Sequence, residues 1–221
     1  MEGDVSLSLG EAELTLLGSG AVYWEAEAAL FVADLHLGKA ETFQRYGLAL
    51  PSGHSLADLD RLVAVAKAQQ ARQVYILGDL IHARAGLTHQ HVAAVADWLL
   101  RTDLDIAVVL GNHDQYAGGV PAVWGLTTVA EGYELAGLTL NHHPTDGDAP
   151  RLCGHVHPVV NLGSRADRLR LPCFVLEQNQ LMLPAFGSVT GGASVRPGPS
   201  RDIYAAAGEG VVQVPGHLER S

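Results

Sequence analysis

Only two cysteines, Cys153 and Cys173, occur in 221 residues. They are too few for a disulfide framework, and each reads as a reduced core residue in a cytoplasmic protein. No stretch approaches the roughly eighteen apolar residues of a membrane-spanning helix, so none is expected. The opening MEGDVSLSLGEAEL is acidic and lacks a basic start followed by an apolar core, so no secretory signal is expected. Basic residues are scarce too: 14 Lys plus Arg face 24 Asp plus Glu, a formal net charge of −10. That balance argues against a passive nucleic-acid binder held by a basic face. A bound divalent ion would reverse the sign locally, so the charge weakens a nucleic-acid substrate without excluding it. Aromatic residues make up 6% of the chain and form no stacking platform; Trp24, Trp98 and Trp124 are scattered, and Trp98 falls on helical spacing as a core residue.

Hydrophobic residues reach 48%, enough for a sizeable core in a chain of this length. No linker is visible, so residues 1–221 read as a single domain. Histidine is plentiful, at 11 residues, which is a first hint of metal chemistry.

The first half alternates strand and helix. ELTLLGSGAVYWEAEAALFVADLHLGK reads as short strands turned at Gly18-Ser19-Gly20, and AALFVADLH is the continuous apolar run of a strand buried on both faces. HSLADLDRLVAVAKAQQA places Leu56, Leu59, Leu62, Val63 and Ala66 at helical spacing, with Ser55 and Asp58 resembling a capping box. RQVYILGDL is a second such strand, THQHVAAVADWLLRT a helix capped by Thr88, and DLDIAVVLGNHD a third strand. This order predicts parallel βαβ units. The second half, from TTVAEGYELAGLTLNHHP through RDIYAAAGEGVVQVP, holds short β-like segments between Gly and Pro turns, and predicts a second, largely antiparallel sheet packed on the first. GGASVRPGPSR, residues 191–201, reads as a mobile surface loop.

Each strand of the βαβ run ends in a different polar group: Asp34 and His36, then Asp79, then Asn112, His113 and Asp114. Ligands of open α/β sheets gather outside those carboxyl ends. NHH (141–143) and GHVH (154–157) add more donors, the latter as a strand with His155 and His157 on one face. Taken singly, each piece is ordinary turn or strand-end chemistry. Together they supply more oxygen and nitrogen donors than one ion accepts, but a suitable number for two ions sharing a carboxylate. Asp79, on the middle strand, is best placed for the bridge.

ADLHLGK, ILGDL, VLGNHD, NHHP and GHVHP together resemble the calcineurin-like metallophosphoesterase superfamily, over roughly residues 30–160. ADLHLGK, GDLIHARAG, LRLPCF and LPAFGSVTGG resemble, more narrowly, the bacterial DNA-ligase-associated metallophosphoesterases, manganese-dependent DNA endonucleases. The resemblance implies an α/β, four-layer αββα sandwich of two mixed β-sheets flanked by helices. It implies Asp34, His36, Asp79 and His157 on one metal, and Asp79, Asn112, His142 and His155 on the other. His142 and His143 are both open for the histidine after LTL; strand alternation favours His142 and leaves His143 nearer the rim. Which of His155 and His157 serves which ion rests on the resemblance alone. His113 is implied as the acid protonating the leaving oxygen, with Asp114 orienting its imidazole.

The cofactors implied are two divalent ions, Mn²⁺ by resemblance, although mixed O/N ligands also accept Fe, Zn²⁺ or Co²⁺. Attack by a metal-bridging hydroxide on a DNA phosphodiester is the reaction implied, on single-stranded or unpaired DNA, beside an ATP-dependent ligase, a helicase and an exonuclease. Lys39, His82, Arg84 and His143 are candidate substrate contacts, and Arg165, Arg168 and Arg170 form one basic cluster. A phosphodiesterase or pyrophosphohydrolase of small molecules or nucleotides is the alternative that the acidic charge favours. A fold that has lost catalysis is disfavoured, because every motif is filled.

Overall fold

A computed structural model of the chain describes residues 3–48, 50, 51, 53–163 and 168–216, with Arg168 described by its backbone alone. Alternating burial along β2 (Ala12–Leu16) pairs it with β1 (Val5–Leu9), and the Gly18–Gly20 turn leads into β3 (Val22–Trp24) and β4 (Ala29–Val32), all antiparallel. β5 (Gln73–Leu77), β6 (Asp105–Val109) and β7 (Thr127–Val129) then add in order, each parallel to the strand before it. The expected βαβ units are thus present. Every residue of β4 is buried, as its unbroken apolar run requires.

Four helices belong to this half: α1 (Lys39–Arg45), α2 (His54–Gln69), α3 (His89–Leu99) and α4 (Asn112–Ala117). Leu59, Leu62 and Ala66 of α2 and Val95 and Trp98 of α3 pack on Leu30, Val32, Val74, Ile76 and Val108 of the sheet. Burying each large apolar side chain contributes about 1.5–3 kcal/mol. The Thr88 hydroxyl accepts the His91 N–H at 3.1 Å, so α3 is capped as expected. The capping box of α2 is not formed. Gly53 occupies the N-cap, which puts Ser55 inside the first turn and frees its hydroxyl to accept the Gly38 N–H at 3.0 Å.

The second sheet contains β8 (Tyr133–Leu135), β9 (Leu138–Leu140), β10 (Arg151–Cys153), β11 (Pro158–Gly163), β12 (Arg168–Glu177), β13 (Gln180–Met182), β14 (Ala193–Ser194), β15 (Arg201–Ala206) and β16 (Val211–Val214). Antiparallel pairs dominate, yet β10 runs parallel to both β9 and β13, and β11 parallel to β14. β14 falls inside the 191–201 stretch expected to be a loop, so part of that stretch is strand. Phe31, Leu14 and Leu16 of the first sheet meet Phe174, Leu181, Leu140 and Leu152 of the second in a core between them. Two mixed sheets packed together are the architecture expected; the described α-helices all belong to the first half, and none of the second-half elements described is an α-helix. Cys153 and Cys173 are buried and unbridged, and burial pushes each thiol up to about 12. Trp98 is in the core, its indole donating to Asp60 at 2.8 Å, and Trp24 and Trp124 are buried too. No helix among the described residues is long and apolar enough to cross a membrane.

Candidate metal centre

The carboxyl ends of the parallel strands β4, β5 and β6 point the same way and deliver Asp34 and His36, Asp79, and Asn112 and His113. The parallel pair β9 and β10 delivers His142 and His143, and His155 and His157. Five strand ends therefore supply the donors. The backbone turns sharply at three of them, after β4, β5 and β10: Asp34, His36, Asp79, His155 and His157 are five of the nine non-glycine residues with positive φ among those described, at 49–70°. Left-handed backbone costs an L residue about 1–2 kcal/mol, and such strain gathers where side-chain direction matters most.

GHVH is accordingly a turn after β10, not the strand expected. On a strand His155 and His157 would project together. Here they separate: His155 Nδ1 lies 3.0 Å from His142 Nε2, and His157 Nε2 lies 3.2 Å from His36 Nε2 and 3.1 Å from Asp34 Oδ1.

Two groups of donors result. His142 Nε2 is 3.0 Å from Asn112 Oδ1, 3.4 Å from Asp79 Oδ2 and 3.0 Å from His155 Nδ1. Its Nδ1–H donates to the Leu77 carbonyl at 3.0 Å, which turns the Nε2 lone pair toward the group. Asp34, His36 and His157 make the other group. Asp34 Oδ2 takes the His155 N–H at 2.9 Å, whereas its Oδ1 is buried without a hydrogen-bond partner. A buried carboxylate oxygen left unpaired beside two imidazole nitrogens is a costly arrangement that a cation satisfies. These residues fit divalent metal ions. Asp79 faces both groups, near His36 and His142, and its Oδ1 accepts the His113 N–H at 2.8 Å.

Close approach demands glycine on two of these turns. A Cβ at Gly78 would stand 2.1 Å from His142 Nδ1, on a backbone whose φ is already +82°. A Cβ at Gly111 would stand 2.3 Å from Asp79 Oδ1.

The electrostatics leave two imidazoles neutral and ready to ligate, and one, His142, holding a proton that a cation would displace. Burial, partly offset by Asp79, pushes the His36 imidazole down to about 2, and burial beside Lys39 lowers His82 to about 4, so both are neutral at pH 7. Burial opposes charge on His142, but the Asp79 carboxylate outweighs it and raises the imidazole to about 9. Burial acts on Asp79 in the opposite sense and loses again, to the His142 charge and hydrogen bond, so Asp79 is lowered.

His113 opens toward the cluster from the first turn of α4, its ring 4.9 Å from that of His36. The carboxylate of Asp114 does not hold this imidazole. Its two oxygens accept the Gly111 N–H at 3.0 Å and the Ile81 N–H at 2.9 Å, clamping the turn after β5 to the N-terminus of α4. The third residue of a helix commonly reaches back to the N-cap in this way. Burial, together with the charge of Asp79, outweighs those hydrogen bonds and pushes Asp114 up to about 6. The His113 ring is held instead by the His82 carbonyl, 2.6 Å from Nδ1.

The remaining candidates stand around the cluster. His82 stacks between His113 and Phe43, at 5.3 and 6.0 Å between ring centroids. Lys39 opens α1, half-buried in a crevice with His36, His54 and Asp58, and burial lowers its ammonium. Arg84 is exposed on the turn after His82. His142 is fully buried, whereas His143 has its side chain 39% exposed and bonded to Glu131 at 2.7 Å, so the inner position of the pair belongs to His142. Arg170 donates to the Gly192 carbonyl at 2.6 Å; Arg165 and the Arg168 side chain lie outside the described residues.

LPAFGSVTGG offers no donor of its own, and its part is structural. Phe186 N–H donates to Ala33 O at 2.8 Å, Gly187 N–H to Asp34 O at 3.2 Å, and Ala193 N–H to His157 O at 3.0 Å. This strap ties the DLH turn to the GHVH turn. Asp58 secures it to α2 by accepting the Ser188 N–H and hydroxyl at 2.9 and 3.0 Å, while Arg61 donates to the Phe186 carbonyl and lies 3.6 Å over its ring. Sequence reasoning placed Asp58 at a helix cap and missed both residues, since their partners lie over 120 positions away. Asp58→Asn is expected to cost about 1–3 kcal/mol of stability, read from the denaturant midpoint. It should also weaken metal binding in calorimetric titration by about tenfold, the lower end for residues that orient ligands. Wild-type metal affinity in the folded variant would show that the strap does not transmit to the centre.

A family model for calcineurin-like phosphoesterases matches residues 29–176, the segment that carries every donor described above. The chain belongs to the calcineurin-like phosphoesterase family. It is a metal-dependent phosphoesterase, a hydrolase. Among solved structures, this phosphoesterase is similar to the nuclease MPE of Pseudomonas putida, with 38% identity and a TM-score of 0.83, covering 96% of this chain and 100% of that one. The E. coli phosphoesterase Yfce aligns at 16% identity and a TM-score of 0.41, over 84% of this chain and 97% of that one. No curated protein matches.

Proposed function

We propose that this phosphoesterase is a nuclease that hydrolyses DNA phosphodiester bonds at a dinuclear centre. The observation that carries the reading is its likeness, over nearly all of both chains, to a protein described as a nuclease. Asp34, His36, Asp79 and His157 hold one ion, and Asp79, Asn112, His142 and His155 the other. Mn²⁺ is the ion implied by the motifs, and the mixed oxygen and nitrogen donors suit it. Such ions supply Lewis acidity toward phosphoryl oxygens and lower the pKa of bound water by several units.

The chain's own residues do the rest. Asn112 contributes a neutral amide oxygen, which keeps the negative charge of the donor set low. Asp79 spans the two groups and, through the His113 N–H, fixes the start of α4 against them. The His82 carbonyl holds the Nδ1–H of His113, leaving Nε2 as the position that carries the transferable proton. The leaving oxygen takes that proton as the P–O bond breaks, and the imidazole returns to its neutral form with Nδ1–H still bonded. Asp114 serves as a positioning residue through the backbone it clamps. Lys39, His82, Arg84 and His143 surround the cluster as substrate contacts.

The action is endonucleolytic on single-stranded or unpaired DNA, in functional association with an ATP-dependent ligase, a helicase and an exonuclease, as the narrower motif resemblance implies, and the two unbridged cysteines support a cytoplasmic setting. The formal charge of −10 favours a second reading, a small-molecule or nucleotide phosphodiesterase with the same centre. Incubation of the purified chain with Mn²⁺, closed-circular single-stranded DNA, nicked duplex and a panel of nucleotides separates the two. Linearisation and fragmentation of the circle is the expected result. Fast nucleotide turnover with intact DNA would overturn the nuclease reading.

A further inference from the structure

Beside the cluster, on the His113 side, lies a groove of about 1010 Å³. Its walls are the C-terminal end of α1 (Arg45, Tyr46), the turn of residues 83–87 that follows His82, and the segment from Ala117 to Ala122 at the end of α4. The groove is joined to the catalytic side by its own architecture. His82 precedes Ala83 and holds His113, His113 lies on the helix whose last residue lines the groove, and Phe43, two residues from Arg45, stacks on His82.

The groove has a composition unlike the rest of this acidic chain. Arg45 and Arg84 are two of only 14 basic residues, both are exposed, and among the described residues neither guanidinium has an ion-pair or hydrogen-bond partner. Arg84 lies against the bare backbone of Gly118, and no carboxylate lines the groove. Tyr46 is 75% exposed, and among the described residues its ring stacks on no other ring. Two unpartnered guanidinium groups and an unstacked aromatic ring along one open channel are the elements that hold a single strand: cations track the phosphates and the ring takes a base face. A volume near the upper end for small-ligand pockets exceeds what one mononucleotide fills.

We propose that this groove binds the single strand flanking the scissile phosphate, with Arg84 and Arg45 on successive phosphates and Tyr46 stacked on a base. The inference rests on the nuclease reading and names the part of the molecule that separates a polynucleotide from a small phosphodiester. It also accounts for how a chain of net charge −10 engages a polyanion: a local pair of free arginines beside the metals replaces a broad basic face.

The test uses the full chain with Mn²⁺ and four proteins: wild type, Arg45→Ala/Arg84→Ala, Tyr46→Ala, and Arg196→Ala as a charge control outside the groove. Binding of a fluorescent single-stranded phosphorothioate oligonucleotide is read by anisotropy across a salt series. Cleavage is read on the matching phosphodiester oligonucleotide and on bis(4-nitrophenyl) phosphate. The double variant is expected to bind at least tenfold more weakly, with the slope of log affinity against log salt reduced by about 1.4, the value for two phosphate contacts on a single strand. Tyr46→Ala is expected to lose about tenfold in affinity with its salt slope unchanged. Turnover of bis(4-nitrophenyl) phosphate should stay within twofold of wild type in Arg196→Ala, and in the two groove variants it should fall by a smaller factor than oligonucleotide cleavage does. Wild-type cleavage of the oligonucleotide with unchanged affinity in both groove variants overturns the groove and leaves the nuclease reading standing. A wild type that neither binds nor cleaves the oligonucleotide overturns both.

Discussion

Asp79→Asn is expected to give a folded protein that retains at most one tightly bound metal ion and loses activity by about 10³-fold. The choice of asparagine follows from the backbone. Asp79 sits at φ +49°, where alanine costs about 1–2 kcal/mol and asparagine is tolerated. The amide oxygen can still accept the His113 N–H that Asp79 Oδ1 takes at 2.8 Å, so the start of α4 keeps its anchor. What disappears is the second anionic oxygen, the one 3.4 Å from His142 Nε2. A carboxylate offers lone pairs on two oxygens and can therefore serve two cations; an amide offers one acceptor oxygen and two N–H donors, one of which would face His142. Removing one negative charge from between two dications also raises their mutual repulsion. The activity figure corresponds to about 4 kcal/mol, within the several kcal/mol that metal polarisation supplies. Metal content after Mn²⁺ equilibration and gel filtration, read beside the thermal midpoint, is the deciding measurement. Two ions per chain in a folded Asp79→Asn protein would place the bridge on another residue.

The half of the site built on β4, β5 and β6 was legible because its signals are local. Three buried apolar runs end in polar residues, and the handedness of βαβ connections leaves one arrangement for them. The second half was harder to read, since strands of three residues such as β9, β10 and β13 carry too few positions to show a period. Their parallel pairing, which aims His142 and His155 at one place, joins residues such as Thr139 with Arg151 and Arg151 with Gln180 that no local pattern links. The turn at GHVH was misread for a related reason. Alternation describes a strand equally well, and only the surrounding structure drives His155 and His157 into φ of 70° and 50°.

Backbone partners are invisible in a motif. Asp114 stands next to His113 in the chain, so a side-chain pair was the natural expectation. The carboxylate instead finds the N–H groups of Gly111, at the helix start, and of Ile81, on the turn after β5, which would otherwise be left without those bonds. The imidazole in turn finds a carbonyl, the one chemical group that every residue carries and no sequence pattern advertises. The strap of residues 185–193 shows the same limit on a larger scale, because its contacts with Ala33, Asp34 and His157 are all made through main-chain N–H groups.

His113→Ala is expected to retain both metal ions and to slow cleavage of a single-stranded oligonucleotide by about 10²–10⁴-fold, the usual range for a lost general acid. Hydrolysis of bis(4-nitrophenyl) phosphate should fall by less than about tenfold, because nitrophenolate departs without being protonated while an alkoxide does not. The imidazole stands beside the centre: its ring is 4.9 Å from that of His36, it belongs to neither of the groups that Asp34 and His142 anchor, and it shares a third cluster with His36 and His82 that holds no carboxylate. The His82 carbonyl at Nδ1 leaves the second ring nitrogen free to face the cluster. His113→Gln separates proton donation from packing. Its amide occupies much of the imidazole volume and can donate a hydrogen bond, but it cannot give up a proton. If the glutamine variant recovers oligonucleotide cleavage, the histidine acts by filling space and contacting phosphate. If glutamine is as slow as alanine on the oligonucleotide and both remain competent on the activated ester, the transferred proton comes from His113. Equal losses on both substrates would instead assign the residue to phosphate binding.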